Sequence, residues 1–258
     1  MISVITPVYN AIAFIDETFA MMFAQDHTDW EWILVEDGST DGTREKLAEY
    51  ASSADCDSRV RIILADDNKN KAAGARNIGL DAAKGRYIAF LDADDVWSKN
   101  KLSTQLDYMD KTGAAFCFTS YEFGDEQARG TGRIVHAPRE LTYRQALSRT
   151  VIFTSTVMFD TQKIDKSKLY MPYIASEDTA TWWNILRDGV TATGLDEVLT
   201  IYRRPARSLS SNKLLAVKRI WGLYRDNEGM GVFKSIPYFI GWAFRATIRR
   251  IKSDNNEC

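Results

Sequence analysis

Apolar and polar positions in the first hundred residues switch between two periods. Ile2 to Ile5 is a short apolar run of strand type, and Ala11 to Ala24 carries apolar residues at helical spacing. Trp32-Ile33-Leu34-Val35 reads as a second strand. Asp41 to Ala54 reads as a polar-faced helix with Asp41 as its N-cap. Val60 to Leu64 predicts a third strand, Ala72 to Ala83 a helix closed by Lys84-Gly85, and Tyr87 to Leu91 a fourth strand. Alternation at this pace predicts parallel βαβ units joined by right-handed crossovers.

The second half is mixed. Lys99 to Lys111, Tyr143 to Arg149 and Glu177 to Leu186 have helical patterns. Ala115 to Phe123, Thr154 to Phe159 and Leu195 to Arg203 have strand patterns. Leu214 to Glu228 and Val232 to Ile251 read as helices, with Pro237 near the start of the last one or kinking it.

In parallel α/β sheets, ligands bind outside the carboxyl ends of the strands. Here those ends read Thr6-Pro7-Val8-Tyr9-Asn10, Glu36-Asp37-Gly38-Ser39, Asp66-Asp67-Asn68 and Asp92-Ala93-Asp94-Asp95. Three of the four carry carboxylates, which predicts an acidic crevice. Asp92 and Asp94 stand at i and i+2 after an apolar strand, so both side chains can point one way and share a hard cation with a diphosphate. Alone, the pair reads as well as a solvated acidic turn. Tyr9 can pack on a ring, and Asp37 can accept a hydrogen bond from a base or ribose. Asn10 and Asp37-Gly38 are also ordinary turn formers. Gly74-Ala75-Arg76-Asn77-Ile78-Gly79 allows close backbone approach, with Arg76 able to meet a nucleobase or phosphate. It is neither a dinucleotide fingerprint nor a Walker loop. Ser176-Glu177-Asp178 opens a helix, with Ser176 as the expected N-cap and acids where the helix dipole favours them. In a functional reading Asp178 is a general base. Tyr202-Arg203-Arg204 and the Ser208 to Lys213 stretch supply basic and hydroxyl groups for a leaving diphosphate, or simply a solvated basic loop.

Taken together, the chain resembles the family 2 glycosyltransferases of the GT-A fold, especially bacterial members that build capsular, teichuronic-acid or O-antigen polysaccharides. The resemblance runs from Ile2 to Lys213. It rests on Ser3 to Asn10, Glu36 to Gly42, Ala75-Arg76-Asn77-x-Gly79, Gly85 to Asp95, Glu177-Asp178 and Tyr202-Arg203. It implies a Rossmann-like, mostly parallel α/β sheet flanked by helices, with residues 1–97 as a nucleotide-sugar half and 98–213 as an acceptor half. Residues 214–258 form a helical extension. Thr6, Pro7, Tyr9, Asp37 and Arg76 would hold a nucleotide, usually uridine. Asp92 and Ala93 would lie at the donor, Asp94 at Mn²⁺ or Mg²⁺, and Arg203 and Lys213 near the diphosphate. Asp178 would be the base of an inverting transfer, with Glu177 and Trp182 in the acceptor region. Glu36 stands where such proteins often carry aspartate. Nucleotidyl transfer is the alternative chemistry, but the glycine-rich, lysine-bearing loop it uses does not follow Ile2 to Ile5. A degenerate binding or scaffolding module is the alternative without catalysis, against which the retained Asp92, Asp94 and Asp178 argue.

Composition changes this picture in two places. Cys56, Cys117 and Cys258 are dispersed and odd in number, which points to a reducing compartment rather than a disulfide framework or zinc site. The lack of a signal-peptide pattern and of a long apolar span points to the cytoplasm. His27 and His136 lack metal-ligand neighbours and read as surface residues. Net charge is −2, but Arg207 to Lys252 holds ten Lys/Arg against two acids, which leaves −10 for the rest. Within that tail Phe233, Ile236, Ile240, Phe244, Ile248 and Ile251 form an apolar stripe. It lies beside Tyr238, Trp242, Arg245, Arg249 and Lys252. Two arrangements fit: a helix packed on the catalytic domain, or one lying on an anionic membrane surface. The second suits polyprenyl-diphosphate-linked acceptors at the inner face of the membrane. No nucleic-acid partner is indicated.

Overall fold

The structure is a computed structural model that describes residues 1–53, 56–65, 71–204 and 213–254; the side chains of Lys213 and of residues 248–254 lie outside the description. The strands at one edge of its sheet are β1 (Ile2–Val8), β2 (Trp30–Asp37), β3 (Val60–Ala65) and β4 (Tyr87–Phe90), connected through α1 (Ile15–Phe23), α2 (Thr43–Ser52) and α3 (Lys71–Ala82). Their spatial order is β3-β2-β1-β4, all parallel. The chain thus winds outward from β1 to β3 and then returns to the other side of β1. That reversal opens a crevice at the carboxyl ends of β1 and β4. Alternate residues feed two cores: Ile5, Ile33, Val35 and Phe90 on one face of the sheet, Val4, Trp32, Leu34 and Ala89 on the other. Burial on both faces is why these strands read as near-continuous apolar runs.

The remaining elements are β5 (Val96–Trp97), α4 (Lys101–Thr112), β6 (Phe116–Gly124), β7 (Gly130–Val135), β8 (Glu140–Leu141), α5 (Tyr143–Ala146), β9 (Val157–Asp160), α6 (Glu177–Arg187) and β10 (Ala192–Arg203). They continue the same sheet as β4-β9-β6-β10-β5. β6 and β10 are parallel, and the pairings of β9, β5, β7 and β8 are antiparallel. Strands β5 and β8 are two residues long and β7 opens Gly-Thr-Gly-Arg, so none has an apolar pattern to betray it. After β10 come α7 (Lys213–Gly222), a π-helical turn over Leu223–Asn227, and α8 (Val232–Asp254), with Pro237 inside the helix.

Several local expectations shift. Helix α2 begins at Thr43 rather than Asp41. The Asp41 carboxylate still accepts the Thr43 N–H at 3.0 Å, two residues along, as an Asx turn does. Thr154–Thr156 is a 3₁₀ turn rather than the start of a strand, because its three hydroxyls are drawn into side-chain and main-chain bonds. Ser176 precedes α6 as expected, but in the left-handed region at φ 59° and without a capping side-chain bond.

Candidate active site

The turn after β1 is laced to the turn after β2. Ser39 Oγ accepts the Asn10 N–H (2.9 Å), Thr43 Oγ1 that of Ala11 (2.9 Å) and Asp41 Oδ2 that of Ile12 (3.1 Å). In return, Asn10 Oδ1 accepts the Thr40 N–H (2.9 Å). Asn10 itself sits at φ 50°, a conformation that asparagine tolerates. Glu36 lies beneath, buried, accepting the Ser39 N–H at 2.5 Å and pairing with Arg44 at 2.8 Å. The Glu36-to-Gly42 motif thus fixes the shape of two loops as well as carrying Asp37 to the cavity wall.

That cavity has a volume of about 410 Å³. Pro7, Tyr9, Asp37, Arg76, Asp92, Ala93 and Asp94 all line it, so seven residues singled out from the sequence meet at the crevice where the strand order reverses. Tyr9 stands on its rim, exposed. Thr6 does not reach it: the residue is buried and its hydroxyl accepts the Trp32 indole N–H at 2.9 Å. Phe14 and Lys71 also line the cavity, and Lys71 begins α3 at φ 51°. Neither was marked by the sequence, because each reaches the cavity only through the folding of a loop.

The Asp92-to-Asp95 turn is held from below. Ser155 Oγ accepts the Asp92 N–H at 3.0 Å and donates to Asp95 Oδ2 at 2.5 Å. Thr18 Oγ1 donates to the Ala93 carbonyl at 2.8 Å. Burial, then the neighbouring Asp92, pushes the Asp94 carboxyl up to about 6. Asp95, buried among Asp94 and Asp92, is raised further still. Crowded, desolvated carboxylates of this kind favour either a proton or a cation. No group of three or more His, Cys, Asp or Glu side chains gathers around one point among the described residues. Asp92 and Asp94 are the cavity-lining carboxylates that could hold a hard divalent ion, which would need further oxygens from substrate phosphates.

Arg203 was expected near the diphosphate. It is instead a clamp on this turn, buried, donating through Nε to the Asp94 carbonyl at 2.7 Å and through Nη1 to the Glu126 carbonyl at 2.7 Å, and pairing with Glu17. Its N–H also reaches Asp95 Oδ1 at 3.3 Å. All three of its side-chain nitrogens are thereby engaged by protein oxygens. The Ser208-to-Asn212 stretch, the side chain of Lys213 and the Asp66-Asp67-Asn68 strand end lie outside the described residues.

Arg76 lines the cavity but is only 5 % exposed, and two carboxylates hold it: Asp92 at 2.5 Å and Glu177 at 3.1 Å. Burial works against its charge, and Asp92, Glu177 and Asp178 together more than offset that. Next to it, Asn77 exchanges two bonds with the main chain of Met171, at 2.8 and 2.9 Å. Helix α3 packs closely on β1 because residue 79 is glycine; a Cβ there would meet Ile5 Cγ2 at 2.4 Å. The Arg-Asn pair thus straps the nucleotide-side helix to the segment leading into α6. Asp178, in the first turn of α6, accepts from Thr154 Oγ1 at 3.1 Å and from the Thr179 N–H at 2.6 Å. Burial, then Asp178, raises the Glu177 carboxyl, against the pull of Arg76. Trp182, expected in the acceptor region, is core instead. It is 2 % exposed and stacked on Phe159 at 5.2 Å, since one helical turn beyond Asp178 the face of α6 points into the sheet.

The chain is similar to known proteins in sequence and in fold. The glycosyl transferase family 2 model matches residues 3–165. The chain is 40 % identical over 252 residues to TuaG of Bacillus subtilis, a glycosyltransferase assigned to teichuronic acid biosynthesis, covering 97 % of this chain and 98 % of that one. It is 34 % identical over 227 residues to WfgD of Escherichia coli, a UDP-Glc:α-D-GlcNAc-diphosphoundecaprenol β-1,3-glucosyltransferase, covering 88 % of this chain and 86 % of that one. Among solved structures, S. aureus TarS 1–349 in complex with UDP-GlcNAc superposes with a TM-score of 0.67 at 18 % identity, covering 94 % of this chain and 71 % of that one. The mannosyltransferase PcManGT of Pyrobaculum calidifontis, in complex with GDP-Man and Mn²⁺, gives 0.71 at 18 % identity, covering 94 % and 69 %. At such identities the structures speak for a shared fold, and the family model and close relatives speak for descent: the chain belongs to glycosyl transferase family 2.

Proposed function

We propose that the protein moves a sugar from a uridine-diphosphate donor to a lipid-linked glycan acceptor, with inversion at the anomeric carbon, during cell-surface polysaccharide synthesis at the inner face of the membrane. The observation that carries this reading is the single cavity at the ends of β1, β2 and β4. There Pro7, Tyr9, Asp37, Asp92 and Asp94 meet, and Arg76 and Glu177 tie it to the turn bearing Asp178. The relatives named above act in comparable syntheses, which supports the acceptor class.

Pro7 and Tyr9 offer surface for a nucleobase, and Asp37 offers an acceptor for its N–H groups or for ribose hydroxyls. Asp92 and Asp94 face the diphosphate and would repel it if both were bare anions. Asp94 would hold Mn²⁺ or Mg²⁺, whose role when bound is to neutralise the charge developing on the departing nucleoside diphosphate. Asp178 accepts the proton of the acceptor hydroxyl as that oxygen attacks the anomeric carbon. Its Thr154 and Thr179 bonds hold the carboxylate oriented. A single displacement inverts the centre, so no second carboxylate nucleophile is required.

The test is release of UDP from a panel of uridine-diphosphate sugars, run with Mn²⁺, with Mg²⁺ and with a chelator, in the presence of a polyprenyl-diphosphate-linked sugar. The anomeric configuration of the product is read by NMR. Metal-dependent release and an inverted product are expected. A lack of release from every donor would leave the fold as a binding module, and a retained configuration would remove Asp178 from the role of base.

A further inference from the structure

Helix α8 has two apolar faces, and the protein covers one of them. Tyr238, Phe239 and Trp242 pack toward the core, with Phe239 edge-on to Trp221 at 5.6 Å. The other face presents Phe233, Ile236, Ile240 and Phe244, which are 90, 39, 61 and 65 % exposed. Steps of three, four and four residues set these side chains in one stripe along the helix. On no other helix do four exposed large apolar side chains recur at helical spacing among the described residues. The packed arrangement anticipated for this helix thus accounts for one of its faces and leaves the opposite one bare.

Charge decides what the free face meets. Between Val232 and Lys252 the sequence has five basic residues, Lys234, Arg245, Arg249, Arg250 and Lys252, and no acid. Lys234 and Arg245 are exposed beside the stripe. Two copies of such a helix brought face to face would set these like charges against each other. An anionic surface would attract them, while a shallow apolar layer takes up the stripe. No helix among the described residues is long and apolar enough to cross a membrane.

We propose that α8 lies on an anionic phospholipid bilayer with Phe233, Ile236, Ile240 and Phe244 embedded at the interface. The root of this surface is fixed rather than tethered. Tyr224, in the π-helical turn, stacks on Trp183 of α6 at 5.4 Å and 15° and donates to the Leu147 carbonyl at 2.5 Å. Glu228 accepts from Arg187 of α6 at 2.9 Å and from Tyr143. Trp183 and Arg187 share their helix with Asp178, so a docked protein holds that helix at a set orientation to the bilayer. The advantage for a lipid-linked acceptor rests on the function proposed above; the docking itself does not.

The experiment is flotation of the full chain with vesicles of phosphatidylglycerol and phosphatidylethanolamine, and with vesicles of phosphatidylcholine alone, at low and high salt. The protein is expected to float with the anionic vesicles, less so at high salt, and to stay behind with the neutral ones. The double variant Phe233→Ser, Phe244→Ser should lose at least about tenfold in affinity for the anionic vesicles, with an unchanged melting temperature because neither side chain is packed. Lys234→Glu should weaken the same binding in a salt-dependent way. Absence of flotation on anionic vesicles, or equal flotation of the double variant, overturns the proposal. A dimer in sedimentation equilibrium that the double variant abolishes would assign the stripe to a second copy instead. UDP release is measured in parallel without vesicles, so that a failure of docking and a failure of the catalytic reading are distinguished.

Discussion

Two carboxylate stations are linked through Arg76 and are built in different ways: Asp92 and Asp94 line the cavity, whereas Glu177 and Asp178 are not among its lining residues. The Asp92-to-Asp95 turn sets three acids within four positions, buries Asp95, and raises the carboxyls of both Asp94 and Asp95. The Glu177-Asp178 pair sits at a helix N-terminus beside Arg76, whose pull on Glu177 is outweighed by burial and by Asp178. On the function proposed above, one site would obtain a metal holder and a base from the same side-chain type.

The largest effect that can break this contrast is on turnover. Asp178→Asn is expected to lower transfer by about 10²–10⁴-fold while leaving UDP affinity intact by calorimetry. If affinity falls in step with turnover, Asp178 belongs to the donor station and the two-station account fails. Asp94→Asn is expected to lower transfer about 10²-fold or more and, unlike the first variant, to abolish the effect of Mn²⁺ on UDP affinity. A variant whose metal response matches that of the unaltered protein would move the cation elsewhere.

Smaller effects fall on stability. Arg203→Ala frees the underside of the first station, leaving Glu17 and the Asp94 and Glu126 carbonyls without a partner. A loss of about 3 kcal/mol or more is expected in urea unfolding, together with weaker Mn²⁺ binding. A stability loss with unchanged Mn²⁺ binding would show that the clamp does not shape the metal-facing turn.

The smallest effect concerns a buried cation under the same half of the sheet. Lys101 is fully buried with its Nζ over the Trp97 ring at 4.0 Å and no hydrogen-bond partner among the described residues. Burial lowers its pKa to about 7. The unfolded lysine holds its proton up to about 10.4, so between these values the unfolded state binds more protons and stability rises with pH. Lys101→Met is expected to stabilise the protein by on the order of 1 kcal/mol at pH 7. That gain should shrink as pH approaches 10, as read by chemical denaturation across the range. A gain that is constant with pH would mean that the lysine is solvated in the native state.

Much of the site was legible because strand ends in a wound sheet are fixed by topology. Once Ile2 to Ile5, Trp32 to Val35 and Tyr87 to Leu91 are read as parallel strands, Pro7, Tyr9, Asp37, Asp92 and Asp94 have to face one crevice, and they do. The residues that were misplaced are those whose role depends on a distant partner. Thr6 turns its hydroxyl to Trp32, Trp182 is drawn into an aromatic core with Phe159, and Arg203 meets Glu17 from far along the chain. The residues that were missed, Phe14 and Lys71, lie in segments where neither periodicity nor a motif marks a ring or an amine as facing the cavity.

The chain order of hydrophobic periods determined the wound half of the sheet, the acidic strand ends and the amphipathic character of the last helix, since each depends on neighbours within a few residues. Tertiary structure alone decided that Arg76 would be neutralised by Asp92 and Glu177, that Arg203 would brace a turn, and which face of α8 would stay bare. Those outcomes turn on contacts between residues up to nearly two hundred positions apart, and the energy of a buried charge or an exposed ring is set by surroundings that no local pattern contains.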